Sequence, residues 1–213
     1  MDDVYDALGT CTGYLLANGY AIEKGGIVNS DRDTGAGVVF QARGDSITLK
    51  GYPSKRYLTI TSMLRLSDIY YDNISPEEDD HLEQTASTDE DYFREKQALA
   101  DQRVDGLEGP EVDEAISDIK MAQSEVESAV DILRTRSEGV DAFDGFIIER
   151  RLYPYSGISL GEFSSEVRSF LTEYNRLRRP ILNVNESVGL GLENPEELAT
   201  ASMDDGIDDR SLH

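Results

Sequence analysis

The chain has few of the side chains that carry covalent or metal chemistry. Its 213 residues include one cysteine, Cys11, two histidines, His81 and His213, and no tryptophan. A single cysteine excludes a disulfide within the chain, and Cys11 falls in a helical pattern where a small buried side chain is expected. The histidines cannot form a believable triad or a histidine-rich zinc site. We therefore expect no cofactor and favour a protein without catalytic activity.

The chain also lacks targeting signals. No apolar run approaches the length that spans a membrane. Asp2, Asp3 and Asp6 occupy the N-terminal region, where a signal peptide needs positive charge. These absences predict a cytoplasmic protein that has no membrane partner.

Positive charge is scarce, and most of it is arginine. Lysine and arginine total 20 against 43 aspartates and glutamates, giving a net charge of −23, and only five of the cations are lysine. A field of this sign repels polyanions, so no nucleic-acid partner is expected. The composition resembles that of salt-adapted proteins from halophilic archaea, in which carboxylates keep the surface hydrated. An acidic mesophilic protein with a charged linker is the alternative.

The clearest pattern in the chain lies between Gly35 and Leu66, where apolar and polar residues alternate with the period of a β-strand. The apolar positions of the three runs are Val38, Phe40 and Ala42; Ile47 and Leu49; and Leu58, Ile60 and Leu64. Gly44-Asp45 and Gly51–Ser54 are typical turn sequences. The pattern predicts a meander of three antiparallel strands.

Helical patterns surround this meander. One helix is expected over Asp3–Ala17, ending at Asn18-Gly19, and a short extended segment at Tyr20 follows it. Residues 25–37 are expected to form a long glycine-containing excursion. Residues 75–91 contain a run of acids and small polar residues, which favours an acidic linker or a mobile lid.

Residues 92–137 are predicted to form a helical hairpin, with one helix over Tyr92–Val104 and a second over Glu111–Arg136. Ala115, Ala122 and Ala129 fall seven residues apart on the second helix. This alanine seam would let another helix approach closely. We favour packing within the chain, and self-association through the seam is the alternative.

The last predicted elements are a strand over Ala142–Tyr153 and a helix that opens at the capping box Ser159–Glu162 and stops at Pro180. The fold class is therefore α+β, an antiparallel sheet packed against amphipathic helices. We expect one domain over residues 1–182, and an acidic, largely disordered tail over residues 183–213.

Few residues suggest a binding site. Asp31 and Asp33 form an Asp-x-Asp run that closes on glycine, but Ala42 stands where a calcium loop needs its late glutamate. An ordinary turn is therefore the favoured interpretation. The candidate residues for an anion or an acidic partner segment are Arg150, Arg151, Arg176, Arg178 and Arg179. Internal ion pairs and helix-dipole complementation would explain these arginines equally well.

Two stretches resemble the type III secretion chaperone-like fold, including its YbjN-like branch. They are Leu15–Tyr20, which enters the meander, and Phe146–Pro154, which leads to the helix around Phe163–Leu177. The resemblance covers roughly residues 1–72 and 140–180 and implies a non-enzymatic, dimeric module that holds a protein segment.

We therefore expect a protein-binding or regulatory, chaperone-like module whose partner is a protein, with a homodimer as one form. A carboxylate- or metal-dependent hydrolytic enzyme is one alternative, using acids near Asp31 and Asp33 or in residues 75–91. A structural self-association protein is the other.

Overall fold

A six-stranded antiparallel sheet forms the centre of the fold. The computed structural model describes residues 4–30, 33–42, 45–55, 57–105, 107, 109–137, 140–153 and 158–188. The elements in chain order are α1 (Val4–Ala17), β1 (Ile22–Ser30), β2 (Asp33–Ala42), β3 (Asp45–Gly51), β4 (Leu58–Arg65), α2 (Leu66–Asp72), α3 (Pro76–Thr85), α4 (Asp89–Asp105), α5 (Pro110–Gln123), β5 (Ala129–Ser137), β6 (Val140–Leu152) and α6 (Leu160–Val188). The strand order is β1-β2-β3-β4-β6-β5. The predicted α+β class and the meander, now β2 to β4, are confirmed.

One face of the sheet carries the core, as the alternation predicted. Its fully buried side chains are Phe40, Ile47, Leu49, Leu58, Ile60, Phe146 and Ile148. α1 packs over β2, β3 and β4, and α6 packs on β6 and on α1. The ring of Tyr174 in α6 lies 5.7 Å from that of Phe146 in β6. Cys11 is buried in α1, in agreement with its expected role as a core residue.

The expected excursion over residues 25–37 is wrong. β1 and β2 form an antiparallel pair that is regular from Lys24 to Ser30, where Ser30 pairs with Asp33. Glycines at positions 25, 26, 35 and 37 obscured the strand pattern, because glycine has a low strand propensity. At Gly35 the absence of a side chain is required, since a Cβ atom would lie 2.1 Å from the carbonyl oxygen of Gly51.

Residues 75–91 are not an unstructured linker, because they include α3 and the start of α4. The alternative of a mobile lid stays a prediction. Ser75 caps α3 by accepting a hydrogen bond from the backbone N–H of Glu78, and its hydroxyl donates to the Glu78 carboxylate. Thr88 accepts a hydrogen bond from the backbone N–H of Asp91 at the start of α4. The acidic residues therefore complement two helix N-termini.

The predicted helix over Glu111–Arg136 ends at Gln123, and the remaining residues include strand β5. In β5, Val130 and Ile132 alternate with polar or exposed neighbours. The sequence therefore contained the two-residue period of a strand as well as the seven-residue spacing that suggested a helix. α5 packs mainly against α6, and α4 packs on α2, α3 and the strands β5 and β6. The packing of the two predicted hairpin helices on each other is therefore wrong.

The C-terminal helix continues through Pro180 to Val188, beyond the expected stop. Ile181 and Val184 are fully buried, so tertiary packing outweighs the loss of one backbone hydrogen bond at proline. The predicted domain boundary between residues 182 and 183 falls inside α6. Residues 189–213 of the predicted tail lie outside the described residues.

Candidate partner-binding surface

The face of the sheet opposite the core is called here the outer face. One row across it consists of Gly37, Lys50, Thr59 and Arg151, on β2, β3, β4 and β6, each paired directly with the next. A parallel row consists of Val39, Thr48, Thr61 and Glu149. Met63 is 48% exposed, and the Arg151 side chain is 57% exposed. Met63 and Arg151 therefore reach solvent from the outer face, whereas the shorter side chains of Thr59 and Thr61 in these rows are buried.

Two tyrosines and two cations form a cluster at one end of the outer face, which we call the tyrosine–arginine corner: Lys55, Tyr57, Arg151 and Tyr153. The rings of Tyr57 and Tyr153 are 5.9 Å apart. The Arg151 guanidinium lies 4.9 Å from the Tyr57 ring centre, and the Lys55 ammonium lies 5.7 Å from it. A cation–π contact of this kind holds the Arg151 guanidinium against the face of the Tyr57 ring.

The register of the sheet explains why these residues meet. Leu58 pairs with Leu152, so Tyr57 just before β4 and Tyr153 just after β6 are neighbours. Tyr153 is 64% exposed, which is high for an aromatic side chain. The corner thus offers an exposed ring beside fixed positive charge.

The charge of this region is opposite to that of the whole chain. Residues 22–65 contain seven basic and four acidic residues, in a protein of net charge −23. The Arg151 guanidinium has a carboxylate neighbour, Glu149, but their closest atoms are 3.9 Å apart and both side chains are exposed. Such a pair contributes little, so Arg151 can bind another carboxylate.

Arg150, the neighbour of Arg151, points to the opposite face and is buried. Its guanidinium donates to Glu173 at 2.5 Å, to Glu166 at 3.2 Å and to the Ser128 hydroxyl at 3.1 Å. Glu173 also accepts hydrogen bonds from two backbone N–H groups, of Glu127 and Ser128. Arg150 therefore connects β6, α6 and the segment before β5, and internal ion pairing accounts for it.

Arg178 is also part of the core. It donates to Asp45 at 2.7 Å, and the Tyr174 hydroxyl lies 3.1 Å from the same carboxylate. Burial raises the pKa of Asp45 above its usual range, although Arg178 and Tyr174 oppose that change. Burial together with the nearby Asp45 charge raises the pKa of Tyr174. This cluster attaches α6 to the start of β3.

Arg176 and Arg179 lie on α6 beside a shallow groove of about 300 Å³ between α5 and α6. Asp118, Met121, Ala122, Pro180 and Asn183 complete its lining. Arg176 already pairs with Glu125. Because Asp118 contributes negative charge to the same groove, it is less suited than the corner to an acidic segment.

The three seam alanines do not share one helix face. Ala115 and Ala122 are buried on α5, which packs against α6, whereas Ala129 is exposed at the start of β5. Ala115 and Ala122 belong to the helix that packs against α6, whereas the sequence favoured packing against the helix over Tyr92–Val104. Self-association through the seam stays untested.

Most of the predicted metal site lies outside the described residues. Asp31 lies outside the described residues, as does the side chain of Asp33. Within the described ranges, no three His, Cys, Asp or Glu side chains are placed to hold a metal ion. No helix in that part of the chain combines the length and the apolar character needed to cross a membrane.

Arg151 was among the candidates predicted from the sequence, but Lys55, Tyr57 and Tyr153 were not. The strand period separates Arg150 from Arg151, because consecutive residues of a strand point to opposite faces. The strand alternation could be read from the sequence, and it predicts that Arg150 and Arg151 lie on opposite faces of the sheet.

Comparisons with known proteins give one structural similarity. No protein-family model matches the chain, and no curated protein matches it significantly. The fold is similar to the crystal structure of an uncharacterized protein from Methanothermobacter thermautotrophicus, at 10% sequence identity and a TM-score of 0.46. The alignment covers 85% of this chain and 98% of that one.

Proposed function

We propose that this protein is a non-enzymatic protein-binding or regulatory module that holds an extended acidic segment of a partner protein at the tyrosine–arginine corner. The observation that carries this proposal is the exposed Tyr153 ring beside the Arg151 guanidinium, on the outer face of the sheet. Tyrosine and arginine, together with tryptophan, are enriched among the residues that contribute most to binding energy at protein interfaces.

The geometry supports an extended occupant. Lys50 and Arg151 lie in one row on either side of Thr59, which is only 2% exposed beneath them. A segment that crosses this row meets two cations about two strand spacings apart, on the order of 9–10 Å. Side chains on one side of an extended chain repeat every 6–7 Å or so, which allows successive acidic residues to reach both cations.

The charge distribution supports an acidic partner. Most of the surface repels carboxylates, so an acidic segment is steered to the few places where cations gather. The same argument disfavours nucleic acid, because a long polyanion would also meet the repelling surface around the corner. The resemblance to chaperone-like proteins points in the same direction.

Charge reversal at the corner tests the proposal. The protein is purified from its source cells in molar potassium chloride, and the retained molecules are identified by mass spectrometry. Arg151→Glu should lose a stoichiometric protein partner, Arg151→Lys should keep part of it, and Arg136→Glu should keep all of it. Arg136 is the matched control, because it is an exposed arginine (76%) on another strand, β5.

A partner that survives Arg151→Glu contradicts the assigned surface. Recovery of nucleic acid in place of protein contradicts the partner class. Catalytic turnover of a substrate by the purified protein contradicts the non-enzymatic role.

A further inference from the structure

The first edge of the sheet, formed by β1, lies apart from the tyrosine–arginine corner. Among the strands that the structure describes, β1 is the outermost and pairs only with β2. Ser30 pairs with Asp33, and only two residues separate them in the sequence. Across such a short connection, the pair that closes an antiparallel ladder is normally a hydrogen-bonded pair. Hydrogen-bonded and non-hydrogen-bonded pairs alternate along an antiparallel ladder. Gly25 and Ile27 therefore fall at non-hydrogen-bonded positions, and their backbone N–H and C=O groups point away from β2.

An edge strand of this kind is normally protected against pairing with another chain. In β1 the protection covers only the beginning of the strand, where the charged Glu23 and Lys24 coincide with an irregularity in register. The Glu23 carboxylate is moreover engaged by Gln41 and Ser46 on the sheet itself. The following residues, 25–30, have no charge and no proline, and their pairing with β2 is regular.

The opposite edge shows the contrast. β5 presents the exposed charged residues Asp131, Arg134 and Arg136, and α4 packs beside it. Such features are typical of edges that exclude other strands. Only the β1 edge is left open in the part of the sheet that the structure describes.

Ile27 marks the centre of the open edge. It pairs with Ala36 on the core side of the sheet, yet it is 77% exposed, because α1 lies over β2, β3 and β4. It is the most exposed of the large apolar side chains described. A strand added beside β1 would cover it.

The charge distribution identifies the occupant. Two copies of a chain with net charge −23 repel each other except where their acidic surfaces are far apart. Residues 66–123, which form α2 to α5, contain eighteen acidic and four basic residues, and α4 lies against the β5–β6 end of the sheet. The β1 edge is nearly neutral, because residues 22–42, which span β1 and β2, contain three acidic and two basic residues. Contact there brings little like charge together and keeps the acidic helices of the two copies on the far sides of the joined sheet.

We propose that two copies of this chain pair through their β1 strands, antiparallel and about a two-fold axis near Gly25–Ile27, to form one continuous twelve-stranded sheet. Antiparallel pairing of a strand with its own copy gives a closed, self-complementary interface. The two Ile27 side chains would lie on the same side of this sheet and shield each other from water.

The test is the mass in solution, measured by light scattering during gel filtration in molar potassium chloride. The wild-type protein should have twice the 23.7 kDa mass of the chain. Ile27→Lys and Gly25→Pro should each give the monomer mass with an unchanged circular dichroism spectrum. Proline at position 25 removes only the outward-facing N–H, and a Cβ atom there makes an ordinary 3.5 Å contact with Val38.

Met63→Lys is the control, since Met63 is exposed on an inner strand, and this variant should remain a dimer. A monomeric wild-type protein overturns the proposal. So does a dimer that persists in both β1 variants, or one that Met63→Lys dissociates. Because Arg151 takes no part in this interface, Arg151→Glu should also remain dimeric, which separates this proposal from the proposed function.

Discussion

Arg150 of β6 and Glu173 of α6 lie 2.5 Å apart, and both side chains are largely buried. The next residue, Arg151, is mostly exposed on the other side of the same strand. Two adjacent arginines therefore have different roles, one inside the core and one at the surface proposed to bind a partner.

The different burial of Arg150 and Arg151 predicts that alanine substitution lowers the free energy of unfolding by very different amounts at the two positions. Arg150→Ala leaves the Glu173 charge buried without its partner and should lower the free energy of unfolding by about 3–5 kcal/mol. Arg151→Ala should lower it by about 1 kcal/mol or less, because its ion pair is exposed. Denaturant unfolding in molar salt measures both values. Equal costs for the two variants would contradict the placement of these side chains.

The alanines of the predicted seam allow a similar comparison. Ala115→Leu and Ala122→Leu insert volume between α5 and α6 and should each destabilise the fold by roughly 1–3 kcal/mol. Ala129→Leu, at an exposed position, should change stability by about 0.5 kcal/mol or less. None of the three should change the mass in solution. Loss of a dimer on substitution of Ala122 with the fold intact would instead support association through α5.

Cys11 should be unreactive in the folded protein. Burial raises the pKa of its thiol from 9.0 to about 12, which lowers the thiolate fraction at neutral pH by roughly a thousandfold. Alkylation by iodoacetamide should therefore be slow in the native protein and should proceed at the usual rate in guanidinium chloride. Equal rates in the two conditions would show that the core face of α1 is open.

The net charge of −23 predicts dependence on salt. At low ionic strength the carboxylates repel one another with less screening, so the melting temperature should fall as potassium chloride is removed. Circular dichroism melts over a salt series measure this change. A melting temperature that does not depend on salt would remove the argument for a salt-adapted protein.

The elements predicted correctly from the sequence are those in which a single packing environment determines the spacing of the apolar residues. The alternation in β2, β3 and β4 was readable because one face is buried and the other is solvated. The helix α1 and the start of α6 could also be predicted, because the apolar stripe of α1 and the capping box of α6 are local sequence patterns.

The errors arose where two signals overlapped. In residues 75–91 the acidic composition suggested a linker, but Ser75 and Thr88 each begin a helix, and acids near a helix N-terminus are stabilising. In residues 124–137 a seven-residue spacing of apolar side chains coincided with strand alternation. At Pro180 a local stop signal was outweighed by the burial of Ile181 and Val184, which the sequence alone does not reveal.

The proposed binding surface was less predictable than the fold. Tyr57 and Tyr153 are 96 positions apart and become neighbours only through the pairing of β4 with β6. Charge counts along the sequence identified the arginines but not the faces on which they lie. The combination of an exposed ring and a stacked guanidinium depends on register, which is set by the whole sheet.

The most direct test of the proposed function is site-specific photo-crosslinking. Benzoylphenylalanine in place of Tyr153 should crosslink, in source cells, to one protein through an acidic segment. The same probe in place of Phe93, a similarly exposed aromatic residue (56%) on the acidic helix α4, should not capture that protein. Absence of a protein crosslink at position 153, or equal capture at both positions, would contradict the assignment of the tyrosine–arginine corner as the partner-binding surface.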